Sequence, residues 1–253
     1  PQTTNLRVMT LNIAHGRKDG VNQLFQSADS IRINLDEVAR LLRSEQPDVV
    51  ALQEIDGPSF WSGRFDHVEL LAAEGCLPNS FRGEHMSAPR LSYGTALLSR
   101  LELGNQLSHR FEPSLPTPRK GFVVASVTPP QFGQTIDVVS VHLDFSRASI
   151  RLEQINELIT VLAERRRPLI VMGDFNCEWD GPEQTLHLLA EELKLKTFRP
   201  KARDLATFSS SAKRLDWIFV SSGLEIEGYR NLPNIVSDHL AVVAEVRISN
   251  ETR

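Results

Sequence analysis

The sequence predicts an α/β (α+β) fold in which two β-sheets pack face to face with helices outside, as one domain over residues 1–253. Three observations carry that expectation. Short apolar runs rich in Val and Ile recur along the whole chain. Helical periodicity appears in three segments, and strands and helices do not alternate as they would around a parallel sheet.

The elements follow in chain order. Residues 6–13 open with Val8, Thr10 and Asn12 alternating against Met9, Leu11 and Ile13, the period of a strand covered on both faces. Residues 14–30 read as a long loop. Ile33, Val38, Leu41 and Leu42 place an apolar stripe on a helix over 34–45, which Pro47 ends. The runs 49–52 and 96–98 predict strands, with loops over 55–63 and 104–118. Strands over 122–127 and 136–141 precede a helix over 148–165, whose apolar face is Ile150, Ile155, Leu158, Ile159 and Leu162. After the strand 169–172 comes a helix over 183–193 with Pro182 in its first turn, where a missing N–H costs nothing. Runs at 217–220 and 240–246 complete the set. Gly, Pro, Asp or Ser bounds most of these runs, and strands outnumber helices about two to one.

Composition narrows the function classes. A chain 41% hydrophobic and 24% charged is ordinary for a globular protein long enough to bury a core without staples. No apolar stretch approaches the roughly 20 residues that span a bilayer. The start, Pro1-Gln2-Thr3-Thr4, lacks a basic and apolar leader, so a soluble protein is expected, cytoplasmic or secreted with its leader removed. Cys76 and Cys177 make no disulfide framework, and without a Cys or His at zinc spacing Cys177 reads as a small buried residue. Net charge is -4, against the basic stripe usual in nucleic-acid binders. The one dense basic cluster, Arg165-Arg166-Arg167, reads as a helix terminus. No obligate protein partner is predicted.

Five apolar runs stop at a residue able to bind a metal or a phosphate: at Asn12, at Glu54, at His142, at Asp174 with Asn176, and at Asp238-His239. Each alone has an ordinary explanation as a turn former or a strand terminus. Together they point to strand ends converging on one site. Oxygen ligands without thiols suit Mg²⁺, with Mn²⁺ possible, and argue against zinc.

With Thr10-Leu11-Asn12, Leu52-Gln53-Glu54, Tyr93-Gly94-Thr95, Ser140-Val141-His142-Leu143, Gly173-Asp174-Phe175-Asn176, Leu215-Asp216-Trp217 and Ser237-Asp238-His239, the chain resembles the endonuclease/exonuclease/phosphatase superfamily of deoxyribonuclease-I-like fold. The resemblance implies a four-layer sandwich, two packed mixed β-sheets flanked by helices, and a Mg²⁺-dependent phosphoesterase. It implies that Glu54, Asn12 and Asp238 hold the metal. Asp174 would orient or deprotonate the attacking water, and Asn176 would bond a phosphate oxygen. His239 paired with Asp216 would steady the phosphate, with His142 touching it or assisting the leaving group. One departure stands out. Family nucleases acting at abasic sites usually carry an Asp two residues after the first-strand Asn, and here that position is Ala14, followed by His15-Gly16.

Loops set the substrate. His15, Arg64, Trp61 and Arg119 are the candidate substrate contacts, with Lys120 beside Arg119. The expected substrate is a phospholipid headgroup or another small phosphodiester. A nuclease of low sequence specificity is the alternative, and a non-catalytic binding module on the same fold is the third possibility.

Overall fold

The computed structural model describes residues 5–208 and 210–249; Pro1-Gln2-Thr3-Thr4, on which the expectation of a chain without a leader rests, lies outside the described residues. Among the described residues, twelve strands and four α-helices follow in the order β1 Leu6–Asn12, α1 Ala28–Glu45, β2 Val49–Asp56, α2 His67–Glu74, β3 Asn79–Ala88 and β4 Leu91–Ser99. Then come β5 Gly104–Arg110, β6 Gly121–Val127, β7 Ile136–His142, α3 Ala148–Ala163, β8 Leu169–Asp174 and α4 Thr185–Glu192. The chain closes with β9 Leu195–Thr197, β10 Asp216–Ser221, β11 Leu224–Asn231 and β12 Val242–Ile248.

The strands form two six-stranded mixed sheets, ordered β11-β12-β1-β2-β4-β3 and β5-β6-β7-β8-β10-β9. Three apolar clusters separate four layers. Leu6, Val8, Val49 and Ala51 meet Val138, Ile170, Met172 and Ile218 between the sheets. Met9, Leu11, Leu52 and Ile55 face Ile31, Leu35 and Leu42 of α1 on the outside of the first sheet. Val139, Val141 and Val171 face Ile155 and Leu158 of α3 and Leu189 of α4 outside the second. Each fully buried aliphatic side chain contributes roughly 1.5–3 kcal/mol, so the strict period-two division of β1 between two cores fixes its register.

The between-sheet face of the central strands changes character along its length. In β1 the inward residues run Leu6, Val8, Thr10, Asn12; in β7 they run Ile136, Val138, Ser140, His142; in β8, Ile170, Met172, Asp174. The middle polar layer is internally satisfied, with Thr10 Oγ1 donating to Gln53 Oε1 at 3.3 Å and Gln53 Nε2 to Ser140 Oγ at 3.0 Å. Apolar side chains therefore weld the sheets at one end, and polar ones gather at the other, where the parallel strands finish.

Several expected boundaries move. Helix α1 begins at Ala28 because the Ser27 hydroxyl caps it, accepting from Ser30 N–H at 3.1 Å, an interaction worth about 1 kcal/mol. Its buried face is Ile31, Leu35, Val38 and Leu42, so Ile33, 59% exposed, is off the stripe. Helix α4 starts at Thr185, leaving Pro182 before the first turn. Helix α3 ends at Ala163, and Arg165 serves its end through the backbone N–H, which donates to Leu162 O at 3.0 Å, and not through its charge. Its guanidinium grips the fully buried Asp137 at 2.7 Å, with Arg167 at 3.6 Å. The expected loop at 104–118 contains strand β5, and α2, β3, β9 and β11 were not legible as elements. No helix among the described residues is long and apolar enough to cross a membrane.

Candidate active site

Sheet register builds one row of the site directly. His142 at the end of β7 pairs with Asp174 at the end of parallel β8, and Asp174 pairs with Asp216 at the start of antiparallel β10. Gly173, at φ +152°, lets the two strands close up there: a Cβ on it would lie 2.0 Å from Val141 O. Asp216 Oδ2 lies 2.8 Å from His239 Nδ1, and His239 Nε2 faces Asp174 Oδ2 at 3.8 Å. Asp174 also accepts from Asn12 Nδ2 at 2.9 Å and from the Asn176 N–H at 2.9 Å, the latter holding Asn176 at φ +54°.

Glu54 reaches the same place by a different device. Regular alternation would send it outward beside Leu52 and Ile55. A β-bulge between Gln53 and Ile55 makes Glu54 the extra residue, at φ +50°, and turns its carboxylate into the cleft. There Oε1 meets Lys120 Nζ at 3.7 Å and His142 Nε2 at 3.8 Å, while Oε2 meets His15 Nε2 at 3.5 Å. His142 Nε2 is also 3.5 Å from Asp174 Oδ2, so the two carboxylates flank one imidazole.

The charge states follow from these neighbours. Burial opposes ionisation of Glu54, but His15, Lys120, His142 and His239 outweigh it and hold its carboxyl well below the usual range. Asp174 is pushed up to about 7 by burial and by the nearby Asp216 charge, against the pull of His239, Asn12 and the Asn176 N–H. Burial disfavours the His239 cation, yet Asp216, Asp174 and Asp238 raise its pKa to about 10. Burial and the Lys120 charge push His142 well below 6.5. Lys120 Nζ, which can only donate, stands 3.3 Å from His142 Nδ1, so Nδ1 accepts and Nε2 carries the hydrogen into the site.

Asn12, Glu54, Asp174, Asn176, Asp238 and His239 line one cleft of about 360 Å³. Asp238 sits on its rim, paired with Arg17 at 2.7 Å. Exposed Phe145 and Lys213 also line it. Of the four candidate substrate contacts, only His15 reaches this cluster, at Glu54. Trp61 turns away, donating its indole N–H to Asp56 at 2.7 Å. Exposed Arg64 lines a separate hollow with Phe60 and Leu24, and neither Arg64 nor Arg119 lines the cleft. Lys120, not Arg119, points in. Sequence reading also passed over Arg17, Asp56 and Phe145; only Asp56, two residues beyond Glu54 on the same strand, carried a signal. Cys177 is buried and its thiol is pushed up by burial, as a structural residue's would be.

The donor set fits a hard cation. Glu54 is held ionised, on a positive-φ bulge that turns its carboxylate to the cleft. Asn12 Oδ1 accepts from Ala14 N–H at 3.0 Å and keeps a second lone pair. The ligand atoms of Asp174, Asp216 and His239 also lie within 4.8 Å of one another. His239 Nδ1 and Asp216 Oδ2 already engage each other at 2.8 Å, and Asp174 follows at 3.8 Å, so that trio reads as a chain of alternating charge beside Glu54.

The family model for the endonuclease/exonuclease/phosphatase family matches residues 9–239. The chain is similar to the YbhP protein of Escherichia coli K12, 26% identical over 98% of each chain. Among solved structures it is similar to an endonuclease/exonuclease/phosphatase from Beutenbergia cavernae, with a TM-score of 0.74 at 22% identity, covering 97% of this chain and 72% of that one. The human Nocturnin catalytic domain aligns with a TM-score of 0.72 at 21% identity, covering 97% and 95%.

Proposed function

The chain belongs to the endonuclease/exonuclease/phosphatase family, whose members are mostly phosphoester hydrolases dependent on divalent metals, and on that basis we propose a specific activity for it. It is a Mg²⁺- or Mn²⁺-dependent phosphodiesterase, working as one catalytic domain, that hydrolyses a phospholipid headgroup or another small phosphorylated substrate. The observation that carries this reading is the Asp216–His239–Asp174 chain facing Glu54 in one cleft.

The division of labour follows from the charge states. Asp174, near 7, is poised to take the proton of a water as its oxygen attacks phosphorus. His239, fixed as a cation by Asp216, faces the negative equatorial oxygens, and the neutral His142 directs its Nε2–H at the same group. Asn176 Nδ2 donates to Leu143 O at 3.1 Å, which fixes the amide; its second amide hydrogen is left for a phosphate oxygen. Glu54, with Asn12 and Asp238 beside it, would hold the cation, which when bound polarises a phosphoryl oxygen and neutralises charge on the leaving oxygen. As the water oxygen bonds phosphorus and Asp174 takes its proton, the ester P–O bond breaks, and the leaving oxygen takes a proton from solvent and departs as the alcohol.

A small substrate is supported by the cleft's volume, in the range of small-molecule sites, by the aromatic Phe145 in its lining and by the net charge of -4. The test is a panel with Mg²⁺ or Mn²⁺: a bis-aryl phosphodiester, an aryl phosphomonoester, sphingomyelin vesicles, inositol phosphates, plasmid DNA and single-stranded RNA. Turnover of the diester and of a lipid or small headgroup is expected. Salt-sensitive plasmid nicking as the dominant activity would replace this reading with the nuclease. Binding without turnover of any member would leave a non-catalytic module.

A further inference from the structure

A second aspartate–histidine pair stands on the other side of Glu54. His15 Nδ1 and Asp56 Oδ1 are 2.6 Å apart, and Asp56 Oδ2 accepts from Trp61 Nε1 at 2.7 Å. Asp56 is fully buried, and the ring of His15 is packed edge-on against Tyr93 at 5.0 Å and against Trp61 at 5.4 Å. The backbone is bent to make this possible. Ala14, His15 and Gly16 all take positive φ, at +48°, +56° and +75°. A Cβ at Gly16 would lie 2.9 Å from Ile31 Cγ2, so only glycine closes the turn beneath α1.

This geometry fixes which nitrogen is presented. A carboxylate at 2.6 Å accepts from Nδ1–H, so Nε2 is the nitrogen turned toward Glu54, 3.5 Å from Oε2. The other oxygen, Oε1, faces Lys120 and His142, so His15 is the neighbour of Oε2 alone. Two ligand atoms of one ion stand roughly 3 Å apart when each lies about 2.1 Å from it at a right angle. Ring nitrogens that bind metals characteristically donate the other N–H to a carboxylate, and here that carboxylate is itself anchored by an indole.

We propose that His15 Nε2 is a metal ligand beside Glu54 Oε2, an imidazole taking the place of the carboxylate that Ala14 lacks, with Asp56 and Trp61 as positioning residues. The proposal rests on the reading of Glu54 as the residue that holds the cation. An imidazole nitrogen in the ligand set shifts preference from Mg²⁺ toward Mn²⁺ and later divalent metals.

The experiment loads the full chain with Mn²⁺ alone and reads electron-spin-echo modulation, which reports directly bound ¹⁴N, beside calorimetric Mn²⁺ and Mg²⁺ affinities. Strong ¹⁴N coupling is expected in the wild type and in His142→Gln, and its loss in His15→Gln. Asp56→Asn should weaken Mn²⁺ binding by about 10- to 100-fold, and His15→Asp should narrow the preference for Mn²⁺ over Mg²⁺. Tight Mn²⁺ binding, abolished by Glu54→Gln yet without ¹⁴N coupling or with coupling unchanged in His15→Gln, overturns this inference and leaves the cation at Glu54. Mn²⁺ affinity indifferent to Glu54→Gln overturns the metal reading as well.

Discussion

Replacing Asp216 by Asn preserves the shape of the side chain and removes one charge, which isolates what that charge does to His239. The imidazole is buried, which alone disfavours its cation, yet its pKa stands at about 10 because Asp216 bonds Nδ1 at 2.8 Å with Asp174 and Asp238 nearby. A rise from 6.5 to about 10 is worth roughly 5 kcal/mol in favour of the charged ring. With the nearest carboxylate neutralised, the largest influence favouring the cation is gone and the His239 pKa falls. A lost electrostatic contact to the transferring phosphoryl group typically costs about 10²–10³ in rate. The assay is kcat/KM on a bis-aryl phosphodiester from pH 5 to 10, with an NMR titration of His239. The variant is expected to be about a hundredfold slower or worse at pH 7, with His239 titrating well below its wild-type value, and to melt near the wild-type temperature. A variant within threefold of wild type whose His239 still titrates near 10 would refute the argument.

Asp174→Ala should lower diester turnover by at least about a hundredfold, the usual cost of losing a general base; retained turnover would move that role to another residue. His85, bonded to Thr95 Oγ1 at 2.8 Å, is pushed down to about 3 by burial and by Arg110, Lys120 and His109. Its unfolded form takes a proton near 6.5, so stability should be full above that pH and drain away as pH falls from 6.5 toward 3, with a slope of up to about 1.4 kcal/mol per pH unit. Buried His67 and His142 act in the same direction, so His85→Gln should flatten the slope of urea stability only in part; an unchanged slope would contradict the assignment. Arg165→Ala takes the nearer of two guanidiniums from the buried Asp137, leaving Arg167 at 3.6 Å, and should cost about 3 kcal/mol by denaturant unfolding. A loss below about 1 kcal/mol would return Arg165 to a surface role.

The sequence by itself determined the eight central strands and the main helices, because strands buried on both faces must be written as apolar runs whatever surrounds them. The four strands it left illegible, β3, β5, β9 and β11, are the four sheet edges. An edge is half solvated and satisfied by polar residues, as in Asn105, Gln106 and Ser108 of β5, so no apolar run marks it. The site divides the same way. Asn12, His142, Asp174 and Asp216 sit at ends of inward-facing strand patterns, so the chain order already implied their convergence. Only tertiary structure decided the rest. A bulge turned Glu54 against its own alternation, three left-handed residues carried His15 beneath α1, and the Asp56 anchor drew Trp61 away from the cleft it was expected to line. Period and composition report which face a residue covers, whereas these three placements depend on backbone torsions and partners that local sequence does not encode.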